Sequence, residues 1–179
     1  MRVATTTTAA FMRRSLTVLA SAAIPVKLPP GLVNNTPLLH SLPLSALTAS
    51  NVLLKMDALQ PTGSFKDRGM AFMCATLQQR GVTHLISSSG GNAGLAASAA
   101  GRKLGMHVRV IVPTTTKKIM LDKIKAEGAE VEVFGENWNA ADERARQLVA
   151  ESDAAAYVPP YEDPLLWEGH SSIVDELVR

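Results

Sequence analysis

Lys66 sits in Thr62-Gly63-Ser64-Phe65-Lys66-Asp67-Arg68-Gly69, where a loop gives way to an amphipathic helix. Before it, Val52-Leu53-Leu54 reads as a short buried strand and Gln60-Pro61-Thr62-Gly63 as turn chemistry. After it, Met70, Met73, Cys74 and Leu77 recur at the spacing of one apolar helix face. Ser64 is placed to cap the helix. Lys66 then falls in the first turn, where the positive end of the helix dipole disfavours a cation. Desolvation and nearby positive charge lower the proton affinity of an amine and make it nucleophilic, so the position suits a Schiff-base lysine. A solvated surface lysine is the plainer reading of the same residue. A second loop, Ser87-Ser88-Ser89-Gly90-Gly91-Asn92-Ala93-Gly94, joins a strand to a helix. Its glycines let a backbone approach a ligand, and free N–H groups at a helix start favour a carboxylate or phosphate. Asn92 adds a side-chain donor. A plain Gly/Ser turn fits the loop equally, and it matches neither a P-loop nor a dinucleotide fingerprint.

Glycine-marked joints divide the elements that must position these groups. Helices are expected over about 66–80, 92–104, 116–127 and 139–152, with Gly81, Gly105 and Gly128 closing the first three. Strands are expected at His84–Ser87, Val108–Val112 and around Val131 and Val133, the last wet on one face and therefore near a sheet edge. Repeated β-to-α steps with short joints imply an α/β fold with a parallel sheet covered by helices. Ligands of such folds bind at the carboxyl ends of the strands, where the second loop lies. Thr36-Pro37-Leu38 reads as an extended or turn segment. Asp163 and Pro164 open a last helix whose Leu166, His170, Ile173 and Leu177 share a face, for which the sequence is expected to offer little packing surface.

The 179 residues suffice for one domain with a real core, or one domain and part of another. A net charge of +2 and few aromatics give no sign of a nucleic-acid partner, and no apolar run reaches the ~20 residues of a membrane span. The single cysteine, Cys74, excludes an intrachain disulfide and reads as core. The four histidines lack metal spacing, so no metal is expected; His84 and His107 flank strands, and His170 reads as a satisfied core histidine. Asp142-Glu143 reads as a solvated helix face, and the lysines at 117, 118, 123 and 125 as surface charge. No acidic residue precedes Asp57, while Arg2, Arg13, Arg14 and Lys27 lie among Ser, Thr and Ala. Residues 1–33 are accordingly set apart as a leader. A mitochondrial transit peptide and an extension from an upstream start codon both suit it, and a secretory apolar region at 16–23 suits it less. Location is left between cytoplasm and mitochondrion.

Thr62–Gly69 followed by Ser87–Gly94 resembles the pyridoxal-phosphate enzymes of the tryptophan synthase β-like fold, fold type II. Leu54–Asp57, Gln60–Gly69, Val112–Thr116 and Pro159–His170 bring the resemblance closest to the serine/threonine dehydratase family. It covers about 36–179. It implies a parallel-sheet, three-layer architecture with an incomplete second domain: 60–163 as a smaller α/β domain, and 34–59 with 164–179 as parts of the larger one. It further implies pyridoxal 5'-phosphate as cofactor, with Lys66 forming the Schiff base and then acting as the base at Cα. Phe65 would lie against the pyridine ring and Asn92 would bond the ring's 3′ oxygen. Ser89, Gly90, Asn92 and Ala93 would grip the substrate carboxylate. The implied reaction eliminates the β-hydroxyl of L-serine or L-threonine and hydrolyses the product to a 2-oxo acid and ammonia, in a homodimer. The family's phosphate-binding glycine loop and its pyridine-nitrogen partner would lie beyond Arg179, so the chain is expected to be incomplete. Threonine synthase shares the lysine motif and stays open as an alternative. So does an inactive chain serving as an interaction module. Gly90 stands where some members carry Ala.

Overall fold

The computed structural model describes residues 26–178, and the expectations for residues 1–25 lie outside it. A parallel four-stranded sheet carries the body of the chain. Its strands are β3 (His84–Ser87), β4 (His107–Val112), β5 (Glu130–Val133) and β6 (Ala155–Val158), in the order β5-β4-β3-β6. Preceding them are β1 (Leu38–His40), α1 (Leu42–Thr48) and β2 (Leu53–Lys55), with β1 and β2 paired antiparallel. The helices of the body are α2 (Lys66–Gln79), α3 (Asn92–Leu104), α4 (Lys118–Ala126), α5 (Trp138–Ala150) and α6 (Pro164–Leu177).

The sheet separates two apolar layers. On one face Leu85, Val108, Val110 and Val112 pack with Met70, Cys74, Ala96 and Ile124. On the other, Ile86 and Ile111 pack with Ala141, Ala145 and Leu148 of α5. This is the alternation that a two-sided parallel sheet imposes on its strands. Cys74 is fully buried, and burial pushes its thiol up to about 12. Gly81, Gly105 and Gly128 all hold positive φ, the left-handed geometry that ends a helix at little cost to glycine. Leu32 is buried in the first layer with Leu28 and Val33 beside it, so this stretch packs although its composition groups it with the leader.

Several expectations need correction. The strand expected at Val52–Leu54 begins one residue later and is not buried: Leu53 and Leu54 are exposed. Helix α4 is shorter than expected and starts after Lys117, and α5 begins at Trp138, where Asn137 accepts the Ala140 N–H. Strand β6 carries little β-propensity in Ala155-Ala156 and is held by its ladder to β3. Helix α6 does find a partner. It crosses α2 at paired glycines, where a Cβ at Gly169 would fall 2.6 Å from the Arg68 carbonyl oxygen and one at Gly69 would fall 2.5 Å from the His170 ring. Leu166 is fully buried there, while Leu177 stays exposed.

Arg68 clamps the same crossing. Its buried guanidinium forks onto Asp57, with both contacts at 2.8 Å, and reaches Glu176 of α6 at 2.7 Å and Ser172 at 3.1 Å. Lys55 joins Glu176 from β2. Such bidentate, charge-assisted pairs fix geometry as well as charge.

Candidate functional site

Two β-to-α junctions build the site. The first is the start of α2. The Ser64 cap is absent: Phe65 occupies the cap position and no side chain caps the helix. Asp67, itself buried, reaches back instead and accepts the Thr62 backbone N–H at 2.9 Å and the Thr62 hydroxyl at 2.9 Å. That folds the loop against the first turn. Burial raises the Asp67 carboxyl, with the Thr62 bonds opposing. Ser64 Oγ is left buried without a partner.

Lys66 Nζ donates to the Pro160 carbonyl at 2.6 Å, and it stands 5.2 Å from the centroid of the Phe65 ring. Burial lowers its proton affinity. The expected depression is present, and desolvation is its cause. Phe65 is about half exposed, with its ring 5.1 Å from the His170 ring. His170 is only in part the satisfied core histidine expected: it bonds the Phe65 backbone and is half-buried. Its Nδ1 is buried without a partner, and burial followed by the charges of Lys66 and Arg68 disfavours its protonation.

The second junction follows β3. Asn92 opens α3 with Gly91 in the cap position, and the Asn92 side chain is exposed while Ala93 is buried. Ser89 Oγ accepts the Gly91 N–H at 3.3 Å. The turn is tight enough that a Cβ at Gly94 would lie 1.8 Å from the Ser89 carbonyl oxygen. At Gly90 a Cβ would lie 2.7 Å from the Thr116 side chain, which arrives from the loop after β4. Ser89, Gly90, Asn92 and Ala93 thus form one compact turn at the carboxyl end of β3, and Lys66 is bonded to Pro160 just past β6, the strand that pairs with β3.

Beneath this turn lies a cluster that the sequence reading missed. Asp142 is half-buried and bonded to Ser88, Tyr157 and Arg146, so it is not part of a solvated face. The available signal was Tyr157, a phenol two residues before Pro159-Pro160, but its significance depends on β6 lying beside β3. Among the described residues no group of three or more potential metal ligands occurs, and no helix is long and apolar enough to cross a membrane.

A desolvated amine beside an aromatic ring suits Schiff-base chemistry with an aldehyde, and the turn that opens α3 suits an anion. The sequence matches the pyridoxal-phosphate dependent enzymes over residues 30–179. The chain belongs to that family. Among its relatives, human L-serine dehydratase/L-threonine deaminase is 45% identical over 142 residues, which are 79% of this chain and 43% of the human protein. L-serine dehydratase of Dictyostelium discoideum is 42% identical over 165 residues, covering 87% and 47% of the two chains. A solved fungal L-serine ammonia-lyase from Rhizomucor miehei superposes with a TM-score of 0.74 at 40% identity, over 82% of this chain and 46% of that one. Threonine deaminase isoform 2 from Solanum lycopersicum gives 0.77 at 28% identity, over 95% and 45%. The chain therefore spans less than half the length of these relatives, and the fold is the tryptophan synthase β-like fold of type II pyridoxal-phosphate enzymes.

The residues present fit the aldehyde end of pyridoxal phosphate. Lys66 supplies the amine, Phe65 an exposed ring face and Asn92 an unengaged amide, while Ser64 Oγ and Ser87 Oγ are buried polar atoms the protein leaves unfilled.

Proposed function

We propose that this chain provides the lysine-bearing and carboxylate-gripping part of a pyridoxal-phosphate dependent ammonia-lyase, which converts L-serine or L-threonine to a 2-oxo acid and ammonia. The observation that carries this reading is that the desolvated Lys66 amine is held on the Pro160 carbonyl just past β6, the strand that pairs with β3, whose carboxyl end carries the Ser89–Ala93 turn. The names of the relatives support the same substrate class.

Bound pyridoxal phosphate supplies an electron sink for the charge left at the substrate Cα. The protein's contribution is positional and acid–base. The Ser89, Gly90, Asn92 and Ala93 turn receives the substrate carboxylate on backbone N–H groups. When the cofactor is bound, Asn92 would offer its amide to the ring oxygen and Phe65 would hold the ring. Lys66 Nζ, its proton affinity lowered by burial, takes the proton from Cα, and the Pro160 carbonyl steadies the amine while it carries that proton. Loss of the β-hydroxyl and hydrolysis then give the 2-oxo acid and ammonia. In this reading 60–163 is the lobe that carries the lysine and the turn, 34–59 and 164–179 belong to a larger lobe, and the whole enzyme is a homodimer.

Lys66→Ala is the direct test, made on the full-length enzyme loaded with pyridoxal phosphate and given L-serine. Ammonia release is expected to fall by about 10³-fold or more, together with loss of the lysine-dependent visible absorption band. Unchanged release by that variant would sink the assignment.

A further inference from the structure

The loop that grips the carboxylate in the proposed function is itself held from below. Ser88, the residue before Ser89, is fully buried on the α5 side of the sheet. Its hydroxyl donates to Asp142 Oδ1 at 2.9 Å. The Tyr157 hydroxyl of β6 donates to the same oxygen and lies 2.9 Å from Ser88 Oγ. Arg146, one turn along α5, donates from Nε to Asp142 Oδ2 at 2.8 Å, and its guanidinium carbon sits 4.3 Å from the centroid of the Tyr157 ring. Burial pushes the Asp142 carboxyl up, but the bonds from Tyr157, Arg146 and Ser88 more than offset it, so the group stays ionised as an acceptor. Helix α5 is a firm anchor, because Ala141 and Ala145 on either side of Asp142 are fully buried against Ile86 and Ile111.

We propose that Asp142, with Tyr157, is a positioning residue for the substrate. Through Ser88 it fixes the backbone from Ser89 to Ala93, and so sets affinity for the amino-acid carboxylate and leaves the proton transfer at Lys66 unaffected. The proposal rests on the proposed function for the identity of the ligand. The mechanical part, that Asp142 orders the turn, does not.

Two measurements on the full chain test it. Without cofactor, amide hydrogen exchange is compared between wild type, Asp142→Ala and Asp142→Asn. Asp142→Ala is expected to raise exchange about tenfold across residues 88–95, the loss of a pair of buried hydrogen bonds, while α2 and α4 are unchanged. Asp142→Asn keeps Oδ1 as an acceptor for both hydroxyls and is expected to restore most of the protection. Equal exchange in all three proteins, or loosening spread evenly along the chain, overturns the proposal. With pyridoxal phosphate and L-serine, Asp142→Ala is expected to raise KM about tenfold with kcat within about twofold of wild type. A fall in kcat at constant KM overturns it as well. If the full-length enzyme, loaded with pyridoxal phosphate, neither absorbs nor turns over, the proposed function fails, and the exchange measurement still decides whether Asp142 orders the turn.

Discussion

Thr116 and Gly90 meet where the third β-to-α junction touches the carboxylate turn. A methyl group at position 90 would press on both branches of the Thr116 side chain, at 2.7 and 2.8 Å, closer than real Cβ contacts allow. Thr116 must then rotate or the turn must move. Gly90→Ala is therefore expected to weaken L-serine binding to the loaded chain about fivefold, and Thr116→Ala to relieve the strain, with a coupling of about 1 kcal/mol in a double-mutant cycle. Additive effects of the two substitutions would show that the pair is not coupled. The same contact gives a physical meaning to the Gly/Ala difference at this position. An alanine here requires a smaller or differently turned neighbour on the adjacent loop, so residues 90 and 116 form one unit of the site.

Between elements, the crossing of α2 and α6 is the contact with least tolerance. Gly69 and Gly169 let the two backbones approach until a single added carbon would lie inside van der Waals contact with main-chain oxygen or the His170 ring. Gly169→Ala meets backbone on the facing helix, which cannot give way, and is expected to cost about 3 kcal/mol in urea unfolding. Gly69→Ala meets the more mobile His170 ring as well as the Leu166 carbonyl and is expected to cost less. A change under about 0.5 kcal/mol for Gly169→Ala would mean that the helices separate freely. Much of this level was legible in the sequence. Glycine stops and the change from alternating to helical spacing mark β3, α3, β4 and β5 closely. The rest was not, for reasons that differ. β1 and α1 are short and place leucines outward, so no buried face exists to leave a periodic trace, and β2, expected one residue earlier, lacks the burial expected of it for the same reason. β6 is two alanines, a tyrosine and a valine, a strand by virtue of its neighbour β3. Asp142 looked solvated because its partners, Ser88 and Tyr157, are 54 and 15 residues away and come together only once the strand order is known. Lys66 and the Ser89–Ala93 turn were legible because their chemistry is local to one junction each.

For the molecule as a whole, Arg68 makes the ionic joint. It gathers Asp57, Glu176 and Thr36 around one buried guanidinium, tying the segment before the sheet to α2 and α6. The Arg68 guanidinium is the main cause holding the Asp57 carboxyl down at about 2, against burial, and it also lowers Glu176. A carboxyl whose folded value lies below its ordinary 3.8 contributes stability above that value and loses it as pH falls towards 2. The joint is therefore expected to be intact at neutral pH and to give up about 2 kcal/mol between roughly pH 4 and pH 2. Urea unfolding at pH 7 and pH 2.5 checks this. Asp57→Asn should lower stability markedly at pH 7 and little at pH 2.5, and an equal loss at both would remove the ion pair as its cause.

The contact between Lys66 Nζ and the Pro160 carbonyl spans 94 residues of chain. It cannot form until β6 has docked on β3 and brought Pro160 over the start of α2, so a newly made chain holds its amine in water through most of folding. Lys66 therefore makes this contact only once that long loop is closed, a step whose entropic cost rises with its span. Before then it is an ordinary protonated lysine, slow towards any aldehyde it meets. The reactivity of one side chain becomes a clock for the completion of the sheet. A pulse of a small aldehyde applied during refolding would read that clock directly.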